Sequence, residues 1–313
     1  MTMAEPTTED VLRWEARQAP RAAAAAAASA VLVIGSGIAT AVLFNNAPAS
    51  GLADSLARAG RPGGVGGLPS LRTPYYQFYD DRAGTVLLTA LARGLGFVAV
   101  AFMLVYLGLA VRNRSDGFRR MWIYVSLAGG LLGAIATILF TLGTSSEIGS
   151  FLDGPHTVDR AGHIGDSSIL ITAQLIGIPG TQAIGLASLA LGLGWVVICL
   201  NAMRVGLLTR FMGVLGIICG ALIVLPILSP LPIVQTFWLG AMALLLLGRW
   251  PNGVPPAWST GEALPWPSQQ QAREARDARR RGAEPEPAAA PEVRGGDDRP
   301  HPSSRKKKRK RRG

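Results

Sequence analysis

Apolar residues along this chain fall in nearly uncharged blocks of about twenty, not at the period of an amphipathic helix or strand. A block of 18 or more such residues matches the roughly 30 Å hydrocarbon core of a bilayer. Five blocks qualify, at about 22–44, 94–111, 121–143, 183–203 and 211–229, and a sixth at about 231–247 falls one residue short. The pattern predicts an all-α integral membrane helical bundle of about six transmembrane helices. It divides the chain into an N-terminal segment (1–21), a six-span domain (22–248) and a Pro- and Arg-rich tail (249–313). That tail cannot bury a core and is expected to be disordered.

The edges of the blocks carry further signals. Thr7, with Asp10 three residues on, forms a capping box for a short N-terminal helix holding Val11, Leu12 and Trp14. Pro20 precedes the first block. Arg13, Arg17 and Arg21 ahead of it, and Ala47-Pro48-Ala49 after it, also fit a signal peptide. At 23 residues, however, the block outruns the roughly 7–15 residues of a signal h-region, so a retained anchor is preferred. The apolar stretch 169–203 is 35 residues, about 52 Å as helix, too long for one straight crossing. Pro179 and Gly180 mark the expected helix break. Pro226, Pro230 and Pro232 mark a tight turn between the last two spans. Gly129 and Gly133, Ala190 and Gly194, and Gly216 and Gly220 are small residues four apart. That spacing lets helix backbones approach closely in lipid, within one bundle or between copies.

Charge orients the spans. Arg112, Arg114, Arg119 and Arg120 lie between spans two and three, Arg204 and Arg210 between four and five, and Arg249 after six. The link between three and four has Arg160 among Glu147, Asp153, Asp159 and Asp166. The bias of basic links to the cytoplasm places both termini inside a plasma membrane. The net charge is +11, and residues 251–313, with 15 basic and 8 acidic residues, supply seven of it. The tail ends on Arg305, Lys306, Lys307, Lys308, Arg309, Lys310, Arg311 and Arg312, a run expected to contact polyanions, anionic lipid headgroups first. No aromatic residue interleaves with it, so nothing there reads nucleic-acid sequence.

Candidate chemistry is sparse. VLVIGSGIAT at 31–40 has the glycine spacing of a dinucleotide-binding turn but no strand-helix-strand around it, and reads as a transmembrane helix with small residues on one face. Asp153, His156, Asp159, His163 and Asp166 are ligand types for zinc or another divalent ion, without a recognised spacing; Gly154, Pro155, Gly162 and Gly165 oppose a regular helix there. Arg93, at the edge of span two, is expected to snorkel to the headgroups. Tyr75, Tyr76, Phe78 and Tyr79 are expected to anchor the chain at the membrane interface, with a ligand-contacting patch as the other reading. The two cysteines, Cys199 and Cys219, lie in apolar blocks and read as buried thiols.

The segments NAMRVGLLTRFMGVLGI (201–217) and RWPNGVPPAW (249–258), ahead of a Pro- and Arg-rich tail, resemble uncharacterised multi-pass membrane proteins of high-GC bacteria. The resemblance implies fold and location, and brings no activity or functional residues. With no Asp, Glu, Lys or His inside the spans, no catalytic residue and no cofactor is expected. The leading expectation is a non-enzymatic binding, regulatory or accessory membrane subunit, with a membrane protein as its partner. A small-solute transporter or channel is the alternative. It rests on paired interruptions at Gly35-Ser36-Gly37 in span one and Gly177-Ile178-Pro179-Gly180 at span four.

Overall fold

The computed structural model describes residues 7–49, 57–58, 66–166, 180–224, 232–251, 253–265 and 277. The chain divides into residues 1–266, which hold every element below, and residues 267–313. The tail expected to be disordered from residue 249 is ordered at its start: residues 249–251 and 253–265 are described, with Ala257 buried and Trp258 bonded to Leu207 O, because these apolar residues have the helix ends to pack on. Apart from residue 277 the rest of the tail with its basic run, Pro179, and the turn at Pro226 and Pro230 lie outside the described residues. In chain order the helices are α1 (Thr8–Phe44), α2 (Thr73–Asp80), α3 (Ala83–Arg112), α4 (Met121–Leu152), α5 (Val158–Gly162), α6 (Gly180–Arg204), α7 (Arg210–Val224), α8 (Ile233–Leu246) and α9 (Ala257–Thr260).

The described residues are helical with no named strand; one isolated bridge joins Pro69 and Thr157. Four helices, α1, α3, α4 and α6, are long and apolar enough to cross a bilayer. Over their described lengths α7 and α8 are shorter apolar helices of 15 and 14 residues.

Two helices outrun their apolar blocks. α1 runs 37 residues without a break, through Pro20, so no separate surface helix precedes the first span. Its start is the Thr7 capping box: Thr7 Oγ1 accepts from the Asp10 N–H at 3.3 Å, and the Asp10 carboxylate accepts from the Thr7 N–H at 3.3 Å. The Ala22–Ala28 run then supplies the strongest of helix formers. The helix also continues through Gly35-Ser36-Gly37, where no interruption occurs. The Ser36 hydroxyl donates back to Val33 O at 3.0 Å and that of Thr40 to Ser36 O at 2.8 Å, so both polar groups are satisfied inside the helix. α4 extends two turns beyond the expected loop boundary at Thr144, to Leu152. Ile148 and Phe151 on those turns are buried against Tyr76, Tyr79 and Ala161, and that packing holds a polar stretch in helix.

Neighbouring long helices are antiparallel, as their contact registers show. Ser29 Oγ of α1 donates to Gly96 O of α3 at 3.0 Å, while Glu15 meets Arg114 beyond the far end of α3. Gly94 of α3 lies against Ala134 and Ile138 of α4, and Gly108 against Ile123. Gly129 and Gly194 pair α4 with α6 at Leu191 and Ser126, and Gly192 and Gly213 pair α6 with α7 at Gly220 and Met203. Trp238 Nε1 of α8 donates to Met212 O of α7 at 2.9 Å. α8 in turn packs on α1, which closes the six helices into a ring, and α3 also touches α6.

Candidate functional site

Each end of the ring is fastened by side chains from several elements. At one end the side chain of Arg114, just beyond α3, is wholly buried and forks onto Glu15 of α1, with Nη1–Oε1 at 2.5 Å and Nη2–Oε2 at 2.8 Å. Its remaining donors reach Ala257 O at 3.0 and 2.8 Å and Ala110 O at 3.0 Å. Trp14, Tyr106 and Trp258 stack beside this pair, with centroid separations of 5.7 and 6.1 Å. Trp258 Nε1 donates to Leu207 O at 2.9 Å, so the N-terminal helix, both adjacent links and the 253–265 segment meet here. Gly206 sits in that turn at φ 82°, and a Cβ there would meet Leu264 O at 2.1 Å, so only glycine fits. The bidentate, fully hydrogen-bonded geometry is what a buried ion pair needs to offset its desolvation. All of these groups hold one another, so this clamp is structural.

At the other end Tyr76 and Tyr79 of α2 are buried against Ile148 and Phe151. Phe44 lies 6.2 Å from Tyr75, 6.3 Å from Phe78 and 6.1 Å from Tyr79, ring centre to ring centre. These aromatics therefore pack on protein, because Phe44 and Phe151 supply ring faces that the sequence pattern does not announce. Burial pushes the Tyr79 phenol above its ordinary range, partly offset by a hydrogen bond with Ser145.

The candidate metal residues sit on the same end but do not converge. His163 Nδ1 pairs with Asp166 at 2.8 Å, both exposed. His156 Nε2 instead lies 3.0 Å from Leu152 O. Asp159 packs over Gly66, where a Cβ would lie 2.3 Å from its carboxylate, and Asp153 caps α4. Among the described residues no three His, Cys, Asp or Glu side chains come together in a way that could hold a metal ion.

Between the two ends the ring surrounds a partly open chamber of about 760 Å³, lined by residues of α1, α3, α4, α6, α7 and α8. Close helix packing shapes its wall. A Cβ on Gly129 would lie 2.4 Å from the Leu191 backbone N, and one on Gly220 2.7 Å from Gly192 O. Gly216 faces Cys199 and Trp238 in the same way, whereas Gly133, on the chamber wall, has ordinary clearance of 3.5 Å. Most of the lining is apolar, including Phe97, Phe140, Leu191, Trp195 and Leu239. The polar lining is Ser29, Arg93, Thr137, Thr141, Ser188 and Gln235.

Among the described residues that line the chamber, Arg93 is the single charged one. Its exposed side chain stands at the chamber wall, and no described residue gives it a hydrogen bond or ion pair. Trp195, 1% exposed, has an indole N–H unmatched by any oxygen or nitrogen among the described residues. The Cys199 thiol one turn on is the weak polar group beside it. Such a wall, apolar with a few polar groups, has the character of a small-molecule site, and its volume falls in the usual range of about 300–1,000 Å³.

Comparison of the chain with protein-family models, with curated proteins and with solved structures finds no match.

Proposed function

We propose that this is an integral protein of the cell membrane that crosses the bilayer six times. Its work is non-enzymatic: it holds a membrane-borne small molecule inside the helix ring, as a binding, regulatory or accessory subunit of a larger membrane assembly. The chamber supports this reading, because residues of α1, α3, α4, α6, α7 and α8 all line one cavity. Four helices of membrane-crossing length support the location. α7 and α8 alternate in direction with them and complete the ring. Orientation follows from the clamp end, which gathers the links bearing Arg112, Arg114, Arg119 and Arg120; by the positive-inside rule this end and both termini face the cytoplasm. From there the run 305–312 adsorbs to anionic headgroups with about 1 kcal/mol per basic residue near the surface, screened by salt.

Native mass spectrometry of the full chain, extracted in a mild neutral detergent, tests the binding claim. The expected spectrum carries one added small-molecule mass. Ser188→Phe, which puts a ring into the chamber, removes that mass while the protein stays folded. A spectrum of bare protein from native membranes contradicts the reading.

A further inference from the structure

The chamber wall has a polar level and an apolar depth, and the two together define an occupant. Arg93 on α3 stands level with Thr137 on α4, because Gly94 lies against Ala134 and Ile138. Ser29 bonds to Gly96 O at 3.0 Å, within one turn of that level. Toward the clamp end the wall runs down to Trp195 on α6. The neighbouring Gly194 lies against Ser126 of α4, eleven residues or about 16 Å of helix below Thr137. Between these levels the lining is Phe97, Val100, Leu191 and Leu239, with Gly129 and Gly133 on the α4 side.

A guanidinium is always charged and has five N–H donors. In a low-dielectric surrounding an ion without a partner is costly, and intramembrane arginines pair with an opposite charge or stand in water. Among the described residues no acidic side chain lines the chamber, and none pairs with Arg93, whose side chain is exposed. The Thr137 hydroxyl beside it likewise has no hydrogen-bond partner among the described residues. Two sets of unused donors therefore face a cavity that has no acceptor of matching charge, and below them lies an apolar slot.

From this we infer that the chamber binds a single-chain amphiphile with an oxyanion head, carboxylate or phosphate. The head sits on Arg93 and Thr137, and the aliphatic chain runs down toward Trp195. This inference rests on the binding reading given above. One chain suits the volume, since about 760 Å³ is the scale of a site for one small ligand. The charge selects the head, and the roughly 16 Å depth selects an extended tail over a compact anion.

The test uses the full chain, delipidated in neutral detergent at mildly alkaline pH. Binding of hexadecanoate and of hexadecyl phosphate is compared with binding of hexadecanol, which has the same chain without charge. At least one of the anions is expected to bind about ten- to a hundredfold tighter than the alcohol, the range of a charge-assisted hydrogen bond. Arg93→Gln removes that preference and leaves hexadecanol binding intact, and Arg93→Lys keeps part of it. Equal binding of anions and alcohol, or a preference that survives Arg93→Gln, overturns the inference. If Ser188→Phe still weakens all three ligands in that case, the chamber remains a binding site and only the head-group assignment falls. If none of the three ligands binds, or Ser188→Phe affects none of them, both readings fall together.

Discussion

Arg114 is the residue with most at stake in this fold. It is buried, it is bonded to Glu15 and to two backbone carbonyls, and it ties segments 99 and 143 positions apart. Removing one member of a buried ion pair leaves the other charge unpaired, which costs about 3–5 kcal/mol. Arg114→Met is therefore expected to lower the thermal midpoint in detergent sharply. The double variant with Glu15→Met should recover part of the loss, since it removes both charges together. An Arg114→Met midpoint equal to that of the parent would refute the clamp. Asp10 acts on a smaller scale. Its hydrogen bonds with the Thr7 hydroxyl and backbone N–H hold its carboxyl below the usual carboxylate range. A carboxyl lowered on folding contributes above its unfolded value, and the contribution is lost as pH falls through the folded one. Amide exchange at the start of α1, corrected for intrinsic rates, should lose protection on that acidification; unchanged protection would contradict the cap. The capping box was readable in the sequence because its partners are three residues apart. The ion pair was not, because its partners are brought together only by the fold.

At the scale of elements, hydropathy reveals where long helices lie and misjudges where they end. The block at 121–143 is apolar all round, as a lipid-facing helix must be, and so announces itself. The two further turns of α4 are amphipathic and depend on Tyr76 and Tyr79, which belong to another element. The same holds at α1, where the polar residues before Pro20 join the helix because Trp14 and Glu15 have partners on and beyond α3. Small-residue spacing marks helix contacts but cannot rank them. Gly129 faces backbone at 2.4 Å, while Gly133 has 3.5 Å of room. Gly129→Ala is therefore expected to push α4 and α6 apart and destabilise by about 1–3 kcal/mol, as overpacking does. Gly133→Ala should be close to neutral. Thermal midpoints of the two variants decide the matter, and equal losses at both positions would contradict the packing described here.

For the whole molecule, antiparallel order along the chain and the contact of α8 with α1 turn six helices into a ring around a cavity. Apart from Arg93, the chamber's polar residues do not stand out in sequence, because Ser29, Thr137, Ser188 and Gln235 are ordinary residues until the ring brings them to one wall. Arg93 was visible as a lone charge, but its direction depends on where α4 and α6 stand. The central claim is that this ring stands across a bilayer with α7 and α8 as crossings. One-sided labelling of single cysteines, in a Cys199→Ala/Cys219→Ala background in sealed vesicles, tests it most directly. Cysteines at the exposed positions Asp116 and Ser259, at the clamp end, are expected to react from one face only. Cysteines at Ser150 and Ile233, at the opposite end, should react only from the other. Reaction of Ile233→Cys from the same face as Asp116→Cys would show that α7 and α8 do not cross, and the ring in the membrane would be wrong.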